Sequence, residues 1–302
     1  AAILGAVRRL GGVAVCPAAE HHAVLHCVEH VGGVVVRVDS VGSVDLLDLQ
    51  RVLEEATEDK PVTVVSVMAV NNEVGTITPM RDVARIVRKY APNAILHTDA
   101  VQAACWIDMR EITPLVDVLT LSSHKFGGPK GVGVMVLKTG KHLEPLILGG
   151  GQERDRRSGT HNVAGIIATA KALEVTDSTR VSECERVSVM RDRLVDEIRA
   201  ALDGVLETVP RQHRVPGAAH LCFSGVENEA LLFLLDQVDV CASAASACAS
   251  GAMEPSHVLE AMGIERSWSN GALRLSLGHT TTNADIDKAV SAIVSAVNQL
   301  RR

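Results

Sequence analysis

Aromatic side chains are scarce in this sequence: Phe, Trp and Tyr together make up 2% of its 302 residues, against 47% for all hydrophobic residues. Large rings therefore cannot fill the interior, and Val, Ala and Leu must form the core. A chain of this length can still bury a sizeable core, and its length predicts two domains.

Basic residues give no excess of positive charge. The sequence has 30 Lys and Arg residues against 36 Asp and Glu residues, a formal net charge of -6. Proteins that bind nucleic acid usually present a basic surface, so this balance argues against a nucleic-acid partner. No apolar run reaches the length needed to cross a membrane and no signal peptide is visible, which argues against a membrane protein.

Cysteine pairs with the spacing of a zinc site are missing. The seven cysteines are odd in number and scattered, which predicts free thiols in a reducing, cytoplasmic setting. His22, His26 and His30 fall on one face of a predicted helix. No carboxylate or thiolate set joins them, so we predict a solvated face there and no metal site. The cysteines are Cys16, Cys27, Cys105, Cys184, Cys222, Cys241 and Cys248.

Short apolar runs alternate with amphipathic helical segments through the first part of the chain. This alternation predicts an α/β fold with a mostly parallel sheet covered by helices. In such sheets, ligands bind at the carboxyl ends of the strands. Asn72, Asp99, Ser122, His124 and Lys125 all lie at or just after a predicted strand end. Each alone is typical of a turn or a cap, but together they indicate a site.

Lys125 follows a predicted buried strand at residues 118–121. A glycine-rich turn and a return strand at residues 132–137 come after it. Lysine amines form Schiff bases with carbonyl compounds, including pyridoxal 5'-phosphate (PLP). A lysine flanked by hydroxyls, a histidine and glycines suits such a role, and an exposed basic turn fits the segment equally well.

The loop at residues 149–160 is rich in glycine and arginine, and it precedes a helix predicted at residues 163–173. Free backbone amides at a helix start can bind an anion, and Ser158 and Thr160 add hydroxyl groups. These features favour an anion site over the alternative, a solvated basic loop.

The composition changes in the last part of the chain. Residues 177–202 are charged and helical, and we predict that they lead into a second domain. Residues 241–250 contain only Ala, Ser and Cys, which predicts a loop. Arg274 is the one charge in a predicted strand at residues 273–277, where an outward-facing side chain is the simpler interpretation. Asn283 is predicted to cap the last helix, residues 284–300.

Eight segments of the sequence resemble, in order, motifs of the cysteine desulfurases, the NifS/IscS-like branch of the PLP-dependent fold-type I enzymes in aminotransferase class V. Each motif is weak by itself, but the ordered set is specific and covers nearly the whole chain. The segments are Glu20-His21-His22-Ala23-Val24-Leu25, Asn71-Asn72-Glu73-Val74-Gly75, His97-Thr98-Asp99-Ala100-Val101-Gln102, Ser122-Ser123-His124-Lys125, Arg157-Ser158-Gly159-Thr160, Ser246-Ala247-Cys248-Ala249-Ser250, Glu254-Pro255-Ser256-His257-Val258-Leu259 and Arg274-Leu275-Ser276-Leu277-Gly278.

The resemblance implies the PLP-dependent transferase fold type I. A large PLP-binding domain with a mostly parallel sheet is expected at residues 1–175. A smaller α+β domain that carries the loop with Cys248 is expected at residues 176–302. Family members carry a further N-terminal segment whose Thr-Ser-Gly-Ala-Thr-Glu type loop binds the phosphate, and this sequence begins after the point where that loop is expected.

The resemblance also implies how PLP is held. Lys125 binds it covalently as a Schiff base, and Asp99 pairs with the pyridine nitrogen, which keeps the ring able to accept electrons. Asn72 and Gln102 form hydrogen bonds near the phenolic oxygen of the ring. His21 stacks on the ring face.

Further roles follow from the same resemblance. Ser122 and His124 bind the PLP phosphate, and Thr160 reaches the phosphate in a neighbouring subunit, which implies a homodimer. Arg274 pairs with the α-carboxylate of the substrate, because its planar fork suits bidentate binding. Cys248 is the nucleophile, and a thiolate is the reactive form.

The implied reaction converts L-cysteine to L-alanine and leaves the sulfur as a persulfide on Cys248. A sulfur-acceptor protein, with an iron–sulfur scaffold as one candidate, then receives that sulfur. Lys125, Cys248 and His21 are the catalytic residues on this hypothesis, and Arg274 and Asn72 bind the substrate. A selenocysteine lyase or another class V PLP enzyme is the nearest alternative. An inactive, PLP-free partner protein is an alternative of a different class.

Overall fold

A computed structural model of the chain describes residues 1–244 and 256–302. Its internal contacts divide the chain into two units. Unit 1 comprises Ala1–Val38, Ser43–Asn71 and Thr78–Arg180, and unit 2 comprises Asp39–Gly42, Asn72–Ile77 and Val181–Arg302. Two short segments from the first part of the chain therefore group with the last part.

Helices and strands alternate through most of the described chain. The strands are β1 Val13–Pro17, β2 Val34–Val36, β3 Val62–Ser66, β4 Ile95–Asp99, β5 Val118–Ser122, β6 Gly133–Leu137, β7 Val205–Glu207, β8 Ala218–Phe223 and β9 Ala272–Ser276. The helices are α1 Ala2–Leu10, α2 His22–His30, α3 Leu46–Glu54, α4 Met80–Tyr90, α5 Met109–Ile112, α6 Gln152–Asp155, α7 Val163–Ala201, α8 Asn228–Asp236, α9 His257–Ala261, α10 Arg266–Ser269 and α11 Asn283–Leu300. Short 3-10 turns occur at Thr113–Leu115, Ser123–Phe126 and Arg211–His213.

Unit 1 is built on a mixed sheet in the order β2-β1-β3-β4-β5-β6. The strands β1 to β5 run parallel to their neighbours, and β6 returns antiparallel to β5. This topology confirms the predicted mostly parallel sheet and the predicted return strand. The carboxyl ends of β1, β3, β4 and β5 consequently meet at one edge of the sheet.

Aliphatic side chains fill the core of unit 1, as the scarcity of aromatic residues predicts. Ala6 of α1 and Val28 of α2 pack with Ala14 of β1 and Val64 of β3, and all four are fully buried. Every residue of β3 is buried, since it lies between β1 and β4 and contacts α1. Small side chains on the helices allow this close approach to the sheet.

Unit 2 contains an antiparallel sheet in the order β7-β8-β9. The helices α8 and α11 pack against each other. Phe223, at the end of β8, is one of the few aromatic residues of the chain and is completely buried. The predicted strands around His220 and Arg274 correspond to β8 and β9.

Two local predictions from the sequence are wrong. The segments predicted at residues 163–173 and 177–202 form one continuous helix, α7, of 39 residues. No proline or glycine stands between them, so nothing ends the helix there. The cap of α11 is Thr282 rather than Asn283. The Thr282 hydroxyl accepts from the Asp285 amide, and the Asp285 carboxylate accepts from the Thr282 amide, which forms a capping box.

Across residues 1–244 and 256–302, no helix combines the length and the apolar character that crossing a bilayer requires.

Candidate active site

Lys125 lies in a tight turn that directly follows β5. Ser123 and Phe126 of this turn are buried, so His124 and Lys125 are left exposed. Gly127 closes the turn with a left-handed backbone (φ 83°), which glycine adopts without strain. A Cβ at Gly128 would lie 2.0 Å from the Ser123 hydroxyl, which would have to turn away from its bond with Thr169. The glycines thus fix the turn that presents the lysine amine.

Asp99 ends β4, the neighbouring strand, and Thr120 of β5 is its partner in the sheet. Its Oδ1 atom accepts a hydrogen bond from the amide of Val101 at 2.9 Å. Burial raises the pKa of Asp99, and the Val101 hydrogen bond and the charges of His21 and Lys125 lower it. The structure therefore brings His21, Asp99 and Lys125 within electrostatic range of one another.

His21 lies between β1 and α2 and caps the helix. Its Nδ1 atom accepts from the Ala23 amide at 3.1 Å, so Nε2 is the ring nitrogen that is left for other contacts. The turn before it is held to the loop that follows β3. Glu20 accepts from the Met68 amide at 2.5 Å, and the Asn71 side chain donates to the Ala19 carbonyl at 2.9 Å. These bonds fix the position of His21 at the sheet edge.

Glu20 and His97 are two buried polar residues near the site that the motifs left without a role. Burial raises the pKa of Glu20 well above its usual range, the Met68 amide lowers it and the charge of Asp99 raises it. Burial lowers the pKa of His97 to about 3, so its ring is neutral. Its nitrogens contact the hydroxyls of Ser66 at 2.7 Å and Thr120 at 3.1 Å. Both residues belong to motifs quoted above, which is the signal that could have identified them.

The residues expected at the PLP phosphate lie in unit 1, at the end of β5, in the turn after it and in the loop before α7. Ser122 Oγ and His124 Nδ1 are 2.9 Å apart, so these two side chains form a pair. Thr160 is exposed at the end of the loop that precedes α7. Gln102 is half-buried in the turn that follows Asp99.

Asn72 and Arg274 belong to unit 2 and contact each other. Arg274 lies in β9 opposite His220, and its Nη1 atom donates to the Asn72 carbonyl at 3.3 Å. Its backbone pairs with Ser243 through two hydrogen bonds of 2.8 and 3.2 Å. Within the described residues, the buried Oδ1 atom of Asn72 has no hydrogen-bond partner. Cys248, the predicted nucleophile, lies outside the described residues.

The sequence matches the family model of aminotransferase class-V over residues 2–289. It is 38% identical over 287 residues to cysteine desulfurase IscS of Dictyoglomus turgidum, which covers 93% of this chain and 71% of that protein. It is 39% identical over 290 residues to an IscS-like cysteine desulfurase of Mycobacterium tuberculosis, with 94% and 72% covered. This chain belongs to the aminotransferase class-V family.

Solved structures give the same result for the class V fold. A NifS-like protein matches with a TM-score of 0.86 and 33% identity, over 98% of this chain and 78% of that chain. The resemblance and the fold class predicted from the motifs are therefore confirmed. Class V aminotransferases depend on PLP, so the cofactor prediction is confirmed at the level of the family.

The class V site in unit 1 fits PLP by the chemistry of its side chains. The exposed amine of Lys125 is open to an aldehyde, and the carboxylate of Asp99 is held near it at the carboxyl ends of neighbouring strands. The Ser122 and His124 pair offers donors for a phosphate. The roles of the individual residues stay predictions, and so does the boundary between residues 175 and 176.

Proposed function

We propose that this chain is a PLP-dependent cysteine desulfurase, which converts L-cysteine to L-alanine and transfers the sulfur as a persulfide on Cys248. The observation that carries the proposal is the gathering of His21, Asp99 and Lys125 at one edge of the parallel sheet of a class V chain. The names of its relatives, cysteine desulfurases at 38 and 39% identity, support this substrate.

When bound, PLP supplies an aldehyde for an amine and a ring that withdraws electrons from the substrate Cα. Lys125 is assigned as the residue that holds it and, once released, as the base that takes the Cα proton. The charge of His21 acts on the pKa of Asp99, and its Nδ1 is occupied by the Ala23 amide. We therefore assign its Nε2 to contact with the ring and to proton movement there.

Asp99 is assigned to the pyridine nitrogen. The Val101 amide occupies its Oδ1 atom, so Oδ2 is the oxygen that we assign to the ring. The buried surroundings strengthen such a charged hydrogen bond, because little water competes for it. Gln102 and Asn72 are assigned to the phenolic side of the ring, and Ser122, His124 and Thr160 to phosphate.

The sulfur transfer needs a nucleophile and a substrate held by its carboxylate. Arg274 is assigned to the α-carboxylate, since a guanidinium binds it through two parallel hydrogen bonds. The Cys248 thiolate attacks the substrate sulfur, and the new S–S bond forms as the C–S bond breaks. The carbon keeps the electron pair and takes a proton, which gives alanine. We propose that an acceptor protein, such as an iron–sulfur cluster scaffold, then receives the outer sulfur.

We also propose a homodimer. Exposed apolar side chains follow Thr160, the residue assigned to a neighbouring subunit's phosphate. Val163, Ile166 and Ile167 at the start of α7 are 60, 45 and 64% exposed, and Leu148 is 77% exposed. An apolar surface of this kind is typical of a protein–protein interface. We further propose that the enzyme is cytoplasmic. Residues 1–175 form its PLP-binding domain and residues 176–302 its smaller domain on this proposal.

A spectrum of the purified chain with added PLP tests the cofactor assignment. We expect a visible absorbance band that borohydride removes and that the Lys125→Ala variant lacks. Lys130→Ala is the matched control, because Lys130 is an exposed lysine of the same glycine-rich segment. A chain that develops no band with PLP would be the inactive partner protein instead.

Sulfide release from L-cysteine tests the transfer step. Cys248→Ala should abolish it while leaving the PLP band intact, and Cys184→Ala, at a half-buried thiol of α7, should change neither. Full activity in Cys248→Ala would contradict the persulfide proposal. Faster turnover of selenocysteine than of cysteine would point to a selenocysteine lyase.

A further inference from the structure

Glu73 is a buried carboxylate that the proposed function leaves without a role. It is 3% exposed, and it accepts a hydrogen bond from the hydroxyl of Ser256. Ser256 in turn caps α9, since its Oγ accepts from the Leu259 amide at 3.3 Å. Residues 73 and 256 are 183 positions apart in the sequence, so this bond ties two distant segments of unit 2 together.

The segment Asn72–Ile77 is fixed within unit 2 by contacts that follow Glu73. The Gly75 carbonyl accepts from the Val215 amide at 2.9 Å, and the Ile77 amide donates to the His213 carbonyl at 2.8 Å. Gly75 has φ 81°, and a side chain there would meet Ala218 at 2.4 Å. The Glu73 carboxylate therefore cannot move away from its surroundings without disturbing the segment.

Arg274 reaches the backbone directly before Glu73. It donates to the carbonyl of Asn72, the residue that precedes Glu73. Burial raises the pKa of Glu73 to about 7, whereas the Ser256 hydrogen bond and the charge of Arg274 lower it. The guanidinium and the carboxylate are thus electrostatically coupled.

The other titratable groups that face this pair lie on β8 and just before it, where the buried Arg214 pairs with Thr76 of the segment and donates to Glu207 at 2.5 Å. His220, opposite Arg274, has its pKa lowered to about 3 by burial and by the charges of Arg274 and Arg214, so it is neutral. Burial and the charge of Glu73 raise the pKa of the Cys222 thiol to about 12, so it is neutral too. Of these groups on β8, β9 and the Asn72–Ile77 segment, Glu73 is the one whose charge changes near neutral pH.

We propose that Glu73 is a positioning residue: it is the buried counter-charge of Arg274 and sets how strongly Arg274 binds the carboxylate of an amino-acid substrate. The inference rests on the proposed function, in which Arg274 takes the α-carboxylate of cysteine. An ionised Glu73 offsets part of the positive potential at the guanidinium, so an incoming carboxylate binds less tightly. A protonated Glu73 leaves that potential undiminished.

The Glu73→Gln variant removes the charge of the side chain and keeps its size. Glutamine keeps an oxygen that can accept from Ser256, but it carries no charge at any pH. We expect the variant and the wild type to bind L-alanine alike at pH 6. At pH 8.5 the variant should bind it about three- to tenfold more tightly, which corresponds to a shift of about 0.5 to 1 in the pKa of Glu73 on binding.

Calorimetric dissociation constants of L-alanine with the PLP-loaded proteins measure this difference. The amino group of alanine titrates equally in both experiments, so the ratio of the two constants at each pH isolates Glu73. Glu260→Gln is the matched control, because Glu260 is an exposed carboxylate of α9, and its ratio to the wild type should stay at one. A ratio for Glu73→Gln that is the same at both pH values would overturn the inference.

Ser256→Ala provides a second test that keeps the carboxylate. In the wild type, the Ser256 hydrogen bond lowers the pKa of Glu73, so removal of the hydroxyl should raise that pKa. The pH at which the affinity for alanine changes should therefore be higher in the variant than in the wild type. An unchanged midpoint would count against Glu73 as the titrating group. Failure of the proposed function would give a different result, because the wild type would then lack both the Lys125-dependent PLP band and alanine binding.

Discussion

At the scale of single residues, the buried carboxyl of Glu20 makes the free energy of unfolding depend on pH. Its pKa is raised by burial above the usual value of 4.5, so the folded protein holds a proton that the unfolded chain releases as pH rises. Stability from this group is complete below pH 4.5 and is lost as pH rises towards the folded-state pKa. The loss approaches about 1.4 kcal/mol per pH unit within that window.

Glu20→Gln should therefore gain stability relative to the wild type as pH rises above 4.5, because glutamine has no proton to hold and can still accept from the Met68 amide. Urea unfolding at several pH values measures the free energy of unfolding of each protein. Glu29→Gln, at an exposed position of α2, serves as the control and should show a constant difference. A constant difference for Glu20→Gln as well would mean that the carboxyl is ionised in the fold.

At the scale of secondary-structure elements, the last helix depends on its cap. Thr282 and Asp285 form reciprocal hydrogen bonds at the start of α11, and Thr282 Oγ1 also contacts Asp285 Oδ2 at 2.8 Å. Removal of such a cap leaves backbone amides without an acceptor.

Thr282→Ala should lower the free energy of unfolding by about 1 kcal/mol. Thermal or urea denaturation measures the loss, and Thr280→Ala, at an exposed position just before the cap, should cost much less. Equal costs at the two positions would show that the capping box does not stabilise α11.

The long helix α7 illustrates why elements are harder to delimit than to detect. Its residues show mixed polarity along 39 positions, and they are divided between the two units at Arg180 and Val181. A change in composition indicated a boundary, but a helix ends only where capping or a breaker residue ends it. The sequence of this segment contains no glycine or proline near residue 176.

At the scale of the whole molecule, the exposed apolar side chains at the start of α7 predict a homodimer. Ile167→Glu places a charge in the apolar surface that we assign to the dimer interface, where it would be buried without a partner. We expect this variant to sediment as a monomer when the wild type sediments as a dimer. Val189→Glu is the control on the same helix, at a position 70% exposed, and should leave the dimer intact. A dimer that persists in Ile167→Glu would place the interface elsewhere.

Much of the candidate site could be predicted because its residues stand at strand ends. Asp99 and Lys125 follow apolar runs that form β4 and β5, and parallel strands bring such residues together by topology. The glycines after Lys125 likewise indicate a fixed turn, and their backbone angles in the structure give the reason. Glu20 and Glu73 both stand in quoted motifs but received no role, because a motif position alone does not reveal that a carboxylate is buried.

By itself, the sequence determined the family, the parallel sheet and the set of polar residues at its edge. Periodicity and strand-end position are local properties, so they can be read along the chain. Only the tertiary structure decided which polar groups are buried and which partners they meet. Glu73 meets Ser256 across 183 residues, and its pKa of about 7 follows from burial that no neighbouring residue in the sequence reveals. Desolvation and charge coupling depend on distances in space, and those exist only in the folded chain.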